Sequence, residues 1–420
     1  MSDDLLDMAD KVWLGTISVE EAHPVVMNGD LGEVGPGTAF IPAFGNVCAL
    51  LVDDALLLVD TGNRPFARMN FDKVRGWTDR PLHTAIYTHG HIDHVSGVDP
   101  YDEESAAQGW ARPRVIAHRD VPRRFDRYVE TAGYNGVINR RQFKLPNLQW
   151  PVDYRYPDET YDDHLDLEVQ GERFELHHAR GETDDHTWVW VPERRTICCG
   201  DLFIWASPNC GNPQKVQRYP RDWAQALRTM AQLDAELLLP GHGWPIVGGE
   251  RVAKALADTA ELLDSLVDQT LALMNEGARL DEVLHTVQPP TDLLERPYLR
   301  PVYDEPEFVV RNIWRLYGGW YDGNPANLKP AQDAAVAREL AELAGGAGQL
   351  ADRALELMEA GDLRLAGHLA ELAALAAPDD AGVHRARAKV FGQRAASELS
   401  TMSKGVFSWA ADQSRGKLDA

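Results

Sequence analysis

Between His89 and His94 the chain packs three imidazoles and a carboxylate into one stretch, Thr88-His89-Gly90-His91-Ile92-Asp93-His94, directly after the apolar run Thr84-Ala85-Ile86-Tyr87. Neutral imidazole and carboxylate are the donors that suit a borderline cation such as zinc. Two His one residue apart at a strand end can point to the same side, so His89 and His91 can hold one metal. Asp93 and His94, on the next turn, can face a second. Three isolated candidates follow: His186, Asp201 and the His242 of Pro240-Gly241-His242. Each stands at an expected strand end, and that shared position converges all seven donors on one site. Seven donors for two ions leave open positions, which favours catalysis over a closed structural site.

The chemistry expected of such a site is hydrolysis by a metal-bound hydroxide. Two close cations lower the pKa of a shared water from about 15.7 to about 7, and the hydroxide attacks a carbonyl, phosphorus or sulfur centre. Asp93 and Asp201 are the candidate catalytic carboxylates, orienting the water or passing a proton to the leaving group. Asp60, Glu182, Asp184 and Asp185 are candidates to hold the ligand imidazoles from behind. Glu182 and Asp60 also read simply as turn residues. Phe203 and Trp205 follow Asp201 and could line a pocket for an apolar or amphiphilic substrate. Packing as core is the competing role for both.

The elements that must position these residues are legible around them. Two apolar runs, 46–52 and 55–59, separated by Asp53-Asp54, predict a hairpin with both strands largely buried. A helix over 68–77 and a strand over 84–88 lead into the metal stretch, the layout of an α/β protein carrying its site at strand ends. Further strands are expected at 115–118, 173–178, 187–191 and 196–199, and an apolar stretch at 237–239. Between them, 222–233 is amphipathic at helical spacing. Residues 135–163, rich in Tyr, Pro, Asn and Asp, read as a long insertion near the mouth of the site. From Glu250 the apolar period is helical throughout, with breaks at Pro289-Pro290, around Gly323 and at Gly361-Asp362. The predicted division is a catalytic domain over 1–248 and a helical domain over 249–420, and the length of 420 residues agrees with two cores.

The formal net charge of −23 argues against nucleic acid and anionic membrane surfaces as partners. The acidic N-terminus reads as no secretory signal, and no apolar run approaches the ~20 residues of a membrane span. Four cysteines without a Cys-x-x-Cys motif suit a reducing, cytoplasmic setting.

The motif His89-x-His91-x-Asp93-His94, with His186, Asp201 and Pro-Gly-His242 in order, resembles the metallo-β-lactamase superfamily from about Gly45 to Gly243. The resemblance implies an αββα sandwich with a binuclear site: His89, His91 and His186 on a first zinc, Asp93, His94 and His242 on a second, and Asp201 bridging. The run Tyr317-Gly318-Gly319-Trp320-Tyr321-Asp322-Gly323-Asn324-Pro325-Ala326-Asn327-Leu328, with the later Glu359-Ala360-Gly361-Asp362 hairpin, resembles the dimerisation domain of alkyl sulfatases. It implies a homodimer built through the helical half.

Three departures stand against the second family. The chain is expected to lack the third, lipid-carrier-like domain. It has His186 and Asp201 where that family uses Glu. After Asp201 comes the apolar run Leu202-Phe203-Ile204-Trp205-Ala206-Ser207 rather than an Asn- and Arg-bearing segment for sulfate. The function expected is therefore a dizinc, alkyl-sulfatase-like ester hydrolase acting on a small hydrophobic substrate. The alternatives are a carboxylic-ester, lactone or β-lactam hydrolase, a mononuclear iron oxygenase, and a non-catalytic metal-stabilised binding protein.

Overall fold

In the first sheet successive strands are neighbours, because each apolar run is followed by a turn or a single crossover. The computed structural model describes residues 2–25 and 28–418. β1 (Gly32–Gly35), β2 (Thr38–Ile41), β3 (Val47–Val52) and β4 (Ala55–Val59) pair antiparallel, with Cys48 opposite Val59 in the expected hairpin. β5 (Leu82–Ile86), β6 (Arg114–His118) and β7 (Glu159–Tyr161) extend the sheet in parallel. The second sheet holds β8 (His164–Val169), β9 (Glu172–Ala179), β10 (His186–Val191), β11 (Thr196–Ile204), β12 (Leu237–His242) and β13 (Ile246–Val247), with β8 at one edge.

Period-2 alternation gives each sheet two apolar faces. Leu50, Leu57, Val59 and Ile86 of the first sheet meet Leu176, Val189, Cys198 and Leu239 of the second in a common core. The opposite face of the first sheet, with Ala49, Leu56 and Leu58, packs on Phe71, Tyr101 and Phe125. Those three rings come from α2 (Ala67–Trp77), α4 (Asp99–Gln108) and α5 (Val121–Glu130), with the short α3 (Ile92–Val95) between the first two. The outer face of the second sheet, with Trp188, Trp190 and Ile197, packs on α7 (Pro220–Ala231) and α8 (Gly249–Asn275). An N-terminal α1 (Ser2–Trp13) adds Val12 and the partly buried Trp13 to that core. Helix, sheet, sheet, helix is the predicted sandwich.

The chain divides into two compact units, 1–132 with 151–319, and 133–150 with 320–420. The expected boundary at 248/249 therefore lies inside the first unit. The reason is the apolar stripe of α8: Val252, Leu256, Leu263 and Leu266 are buried in the same core as Trp223 and Leu227 of α7. α9 (Leu280–Thr286), α10 (Thr291–Leu294) and α11 (Pro306–Gly318) complete that unit.

The second unit holds α6 (Ala132–Phe143), α12 (Pro325–Leu328), α13 (Asp333–Ala344), α14 (Ala347–Glu359), α15 (Leu363–Ala376), α16 (Ala381–Ser397) and α17 (Thr401–Leu418). Its cores are small and alanine-rich, around Ala341, Ala354, Ala370 and Val390. At the α14–α15 turn Gly361 takes φ +88°, and Asp362 caps α15 by accepting from Leu365 N at 3.1 Å. The stretch 135–163 is thus no single insertion. Its first part is helix α6, seated in the second unit, where a Cβ at Gly405 of α17 would lie 2.0 Å from the Gln142 carbonyl. Its last part is edge strand β7.

Candidate metal centre

Strands and the short turns and helix between them position the donors. β5 delivers Thr88 to His91, α3 carries Asp93 and His94, β11 carries Asp201, and β12 ends on His242. Two glycines let these segments close up. A Cβ at Gly241 would lie 2.0 Å from Asp201 Oδ1, and one at Gly45 would lie 1.9 Å from the Asp93 carbonyl. Any side chain at either position would push a ligand-bearing segment away.

The donors gather as two clusters: His89, His91, Glu182 and Asp201 in one, Asp93, His94 and His242 in the other, each with its donor atoms within 4.8 Å of one another. In the first, His89 Nε2 and His91 Nδ1 are 2.8 Å apart, and Glu182 Oε2 lies 3.4 Å and 3.1 Å from them. In the second, Asp93 Oδ2 lies 3.6 Å from His94 Nε2 and 3.5 Å from His242 Nε2. Asp201 reaches both clusters, with Oδ1 3.4 Å from His94 Nε2 and Oδ2 3.3 Å from His242 Nε2 and 3.8 Å from His89 Nε2. Six of the seven expected ligands come together in this way.

Glu182, expected only to support the ligands, joins the first cluster, and His186 stands next to it with a buried Nδ1 that has no hydrogen-bond partner. Glu182 Oε2 enters the first cluster, while its Oε1 accepts from Asn209 Nδ2 and Arg218 Nη1. His186 lies beside that cluster, its ring stacked on His89 with centroids 4.6 Å apart and its Nε2 3.1 Å from the Cys199 carbonyl. The donor set fits metal on a structural observation. His94 Nε2, Glu182 Oε2 and Asp201 Oδ1 are buried polar atoms with no hydrogen-bond partner, each in one of the two clusters or between them. Such atoms are costly unless a cation completes them.

The surrounding charges are tuned. Burial opposes charge on Glu182, but Arg218 and His91 outweigh it and hold the carboxyl well below the usual range. Asp201 is likewise held down, against burial, by His242 and His94. Burial and the adjacent imidazoles of His94 and His91 keep the His89 pKa well below that of an ordinary histidine. His94 is raised in spite of burial, by Asp201, Asp60 and Asp93.

Among the residues expected to support the ligands, Asp60 does so directly. At φ +59° it accepts from Thr88 N at 2.7 Å and Thr88 Oγ1 at 2.8 Å, and its Oδ2 lies 2.7 Å from His94 Nδ1. That bond fixes the His94 ring with Nε2 toward the donors. Asp185 accepts from Arg124 Nε at 2.6 Å and from Gly90 N at 3.2 Å, so it anchors the backbone between His89 and His91. Asp184, half-exposed, pairs with Arg124 Nη2.

The Asp185 carboxyl is pushed down to about 2, burial opposing and Arg124 prevailing. A depressed carboxylate contributes stability above its unfolded pKa and loses it as pH falls through the folded value. Asp185→Asn is therefore expected to cost about 2 kcal/mol at neutral pH, with the difference from the parent vanishing between about pH 4 and pH 2. Denaturant melts at pH 7, 4 and 2 check this. A constant difference across that range would disprove it.

Phe203 and Trp205, expected in the substrate pocket, are core residues at 1% exposure each. β11 runs on to Ile204 and buries all nine of its residues. Phe203 packs on Tyr298 at 6.2 Å, and Trp205 stands edge-on to Trp13 and Tyr298 while donating to the Trp244 carbonyl. Further along the chain, Asn209 and Arg218 donate to Glu182. Lys215 joins them: burial and Arg218 lower its pKa to about 8, against the pull of Glu182 and Asp93. No period marks residues 205–219, and only the fold reveals these three. Phe44 stands edge-on to the His242 ring at 5.8 Å.

Residues 41–242 match the family model described as the metallo-beta-lactamase superfamily, and residues 279–417 the one described as alkyl sulfatase dimerisation. A linear primary-alkylsulfatase of Pseudomonas sp. (strain ATCC 19151) is 26% identical over 393 residues, which cover 87% of this chain and 73% of that protein. The alkyl/aryl-sulfatase BDS1 of Saccharomyces cerevisiae is 24% identical over 363 residues, with 81% of this chain and 55% of the relative covered. The solved structure of the stereoselective inverting sec-alkylsulfatase Pisa1 from Pseudomonas sp. has the same fold at TM-score 0.83 and 22% identity, over 93% of this chain and 65% of that one. Among the described residues, no helix is long and apolar enough to cross a membrane.

Proposed function

We propose, for a chain that joins a metallo-β-lactamase superfamily domain to an alkyl sulfatase dimerisation domain, that it is a dizinc hydrolase of sulfate esters with an apolar alcohol part, working as a homodimer. The observation that carries this reading is the pair of donor clusters, with Asp201 within reach of both and the Lys215 ammonium near them. When bound, the metal pair would supply an activated water at neutral pH and take up charge on the ester oxygens. Everything else falls to the chain's own groups. The Lys215 ammonium, close enough to Glu182 and Asp93 to feel both, favours an anionic group at the mouth of the clusters. Phe44 offers an apolar edge next to His242.

Asp93 keeps 15% of its side chain exposed, the most open of the three carboxylates. Its Oδ2 is placed to orient the attacking water and to hand a proton to the departing alkoxide, giving alcohol and hydrogen sulfate. Asp60 holds the His94 ring through Nδ1, and Arg218 holds Glu182, so neither ligand needs to reorganise as charge develops.

Metal analysis of the purified protein, run beside a panel of a medium-chain alkyl sulfate, an aryl ester, a lactone and a β-lactam, tests the proposal. The expected result is about two zinc per chain and release of inorganic sulfate. Turnover of carbonyl substrates alone would move the chemistry to the ester, lactone or β-lactam class. A protein that binds no metal would remove the hydrolase reading itself.

A further inference from the structure

We infer that His164 and His177 form a second metal site on the outer edge of the second sheet, taking one zinc-class divalent cation (Zn2+, Ni2+ or Cu2+). The two are direct register partners on the antiparallel strands β8 and β9. That pairing brings side chains on one face together. Their Nδ1 atoms face each other at 3.2 Å. Each ring turns its other nitrogen to a carboxylate two residues along its own strand: His164 Nε2 lies 3.2 Å from Asp166 Oδ1, and His177 Nε2 lies 3.5 Å from Glu175 Oε2.

A carboxylate only accepts, so its place beside each Nε2 favours the tautomer with hydrogen there, and a neutral ring of that tautomer presents a bare lone pair at Nδ1. Two bare lone pairs at 3.2 Å need positive charge between them, which is either an extra proton on one ring or a cation shared by both. Partial burial and the adjacent His164 lower the pKa of His177, which disfavours the proton near neutral pH. An imidazole whose far nitrogen rests on a carboxylate is held in orientation and made a more basic ligand. The His177 ring is further fixed by stacking on Trp188, with centroids 4.1 Å apart and planes 16° from parallel.

Access and selectivity follow from the same geometry. The His164 side chain is 42% exposed, and His177 borders a surface cavity of about 340 Å3 that also touches Asp163, Arg180 and Asp222. Solvent can fill the remaining coordination positions. An imidazole pair suits zinc, nickel and copper, whereas magnesium and calcium prefer oxygen donors. None of these four side chains belongs to the two clusters of the candidate metal centre.

The test uses the full chain loaded with zinc and then dialysed until only the tightly held zinc of the main centre remains, titrated calorimetrically with Ni2+ and with Cu2+ while released zinc is measured. One further ion per chain is expected in the micromolar range, with no zinc displaced. His164→Ala and His177→Ala should each abolish it with the zinc content unchanged, and Asp166→Asn should weaken it by roughly 10–100-fold. In the Cu2+ form of the parent chain, two nitrogen couplings are expected in the paramagnetic resonance spectrum, and neither alanine variant should give that signal. Undiminished binding in His164→Ala, or no further ion bound more tightly than about 1 mM, would overturn the inference.

Discussion

Glu182→Gln is expected to lower the metal content of the first cluster, to cut hydrolysis at least 100-fold, and to destabilise the fold by about 3–5 kcal/mol. The substitution keeps shape and volume, so the loss isolates charge. Glu182 is 2% exposed and carries two jobs at once. Oε2 is a donor in the cluster, and Oε1 is the counter-charge of the buried Arg218. Removing the carboxylate leaves the Arg218 guanidinium uncompensated in a dry environment, where its net cost exceeds that of any exposed pair. His186→Asn is the control. His186 stacks on His89 and contacts the Cys199 carbonyl, so that variant should keep most of its metal. Metal content and thermal melts on both variants decide the matter. If His186→Asn loses metal and Glu182→Gln keeps it, the ligand assignment reverts to the one the family resemblance implied.

The place of Glu182 in the first cluster shows where sequence reasoning reaches and where it stops. His89, His91, Asp93 and His94 were legible because four donors in six residues follow an apolar strand. Asp201 and His242 were legible because each follows a short apolar run. Within the turn 180–186, however, no periodicity applies. Glu182 and His186 are both plausible donors there, and what holds Glu182 in the cluster is a buried arginine 36 positions away. The same lack of period hid Asn209, Lys215 and Arg218.

Phe203 and Trp205 failed for a different reason. The strand expected to end at Cys199 continues five residues further, and a strand buried on both faces carries no alternation to mark its end. By contrast β8 reads His164-Leu165-Asp166-Leu167-Glu168-Val169, a strict polar/apolar alternation that could have been recognised. The pairing of His164 with His177 was beyond reach, since register is a property of two strands together.

The boundary near residue 248 also yields to packing, and truncation makes the difference measurable. A chain ending at 248 removes α8, with six large aliphatic side chains, Val252, Leu256, Leu262, Leu263, Leu266 and Val267, buried in the core beneath the second sheet. At about 1.5–3 kcal/mol each, their loss is on the order of 10 kcal/mol, comparable to the whole stability of about 5–15 kcal/mol of a typical domain. It also strips Asp304, which accepts from Gly211 N at 2.6 Å, and Asn312, which accepts from Arg218 N at 3.2 Å. Those bonds hold the loop carrying Asn209, Lys215 and Arg218. The 1–248 chain is therefore expected to be insoluble. A chain ending at 319 keeps the α8 core and both anchors, and should remain folded and bind metal while losing self-association. Soluble yield, zinc content and sedimentation of the two truncations separate the cases. A soluble, metal-loaded 1–248 chain would show that the sandwich closes without α8. A 1–319 chain that still dimerises would place the self-association surface before Trp320.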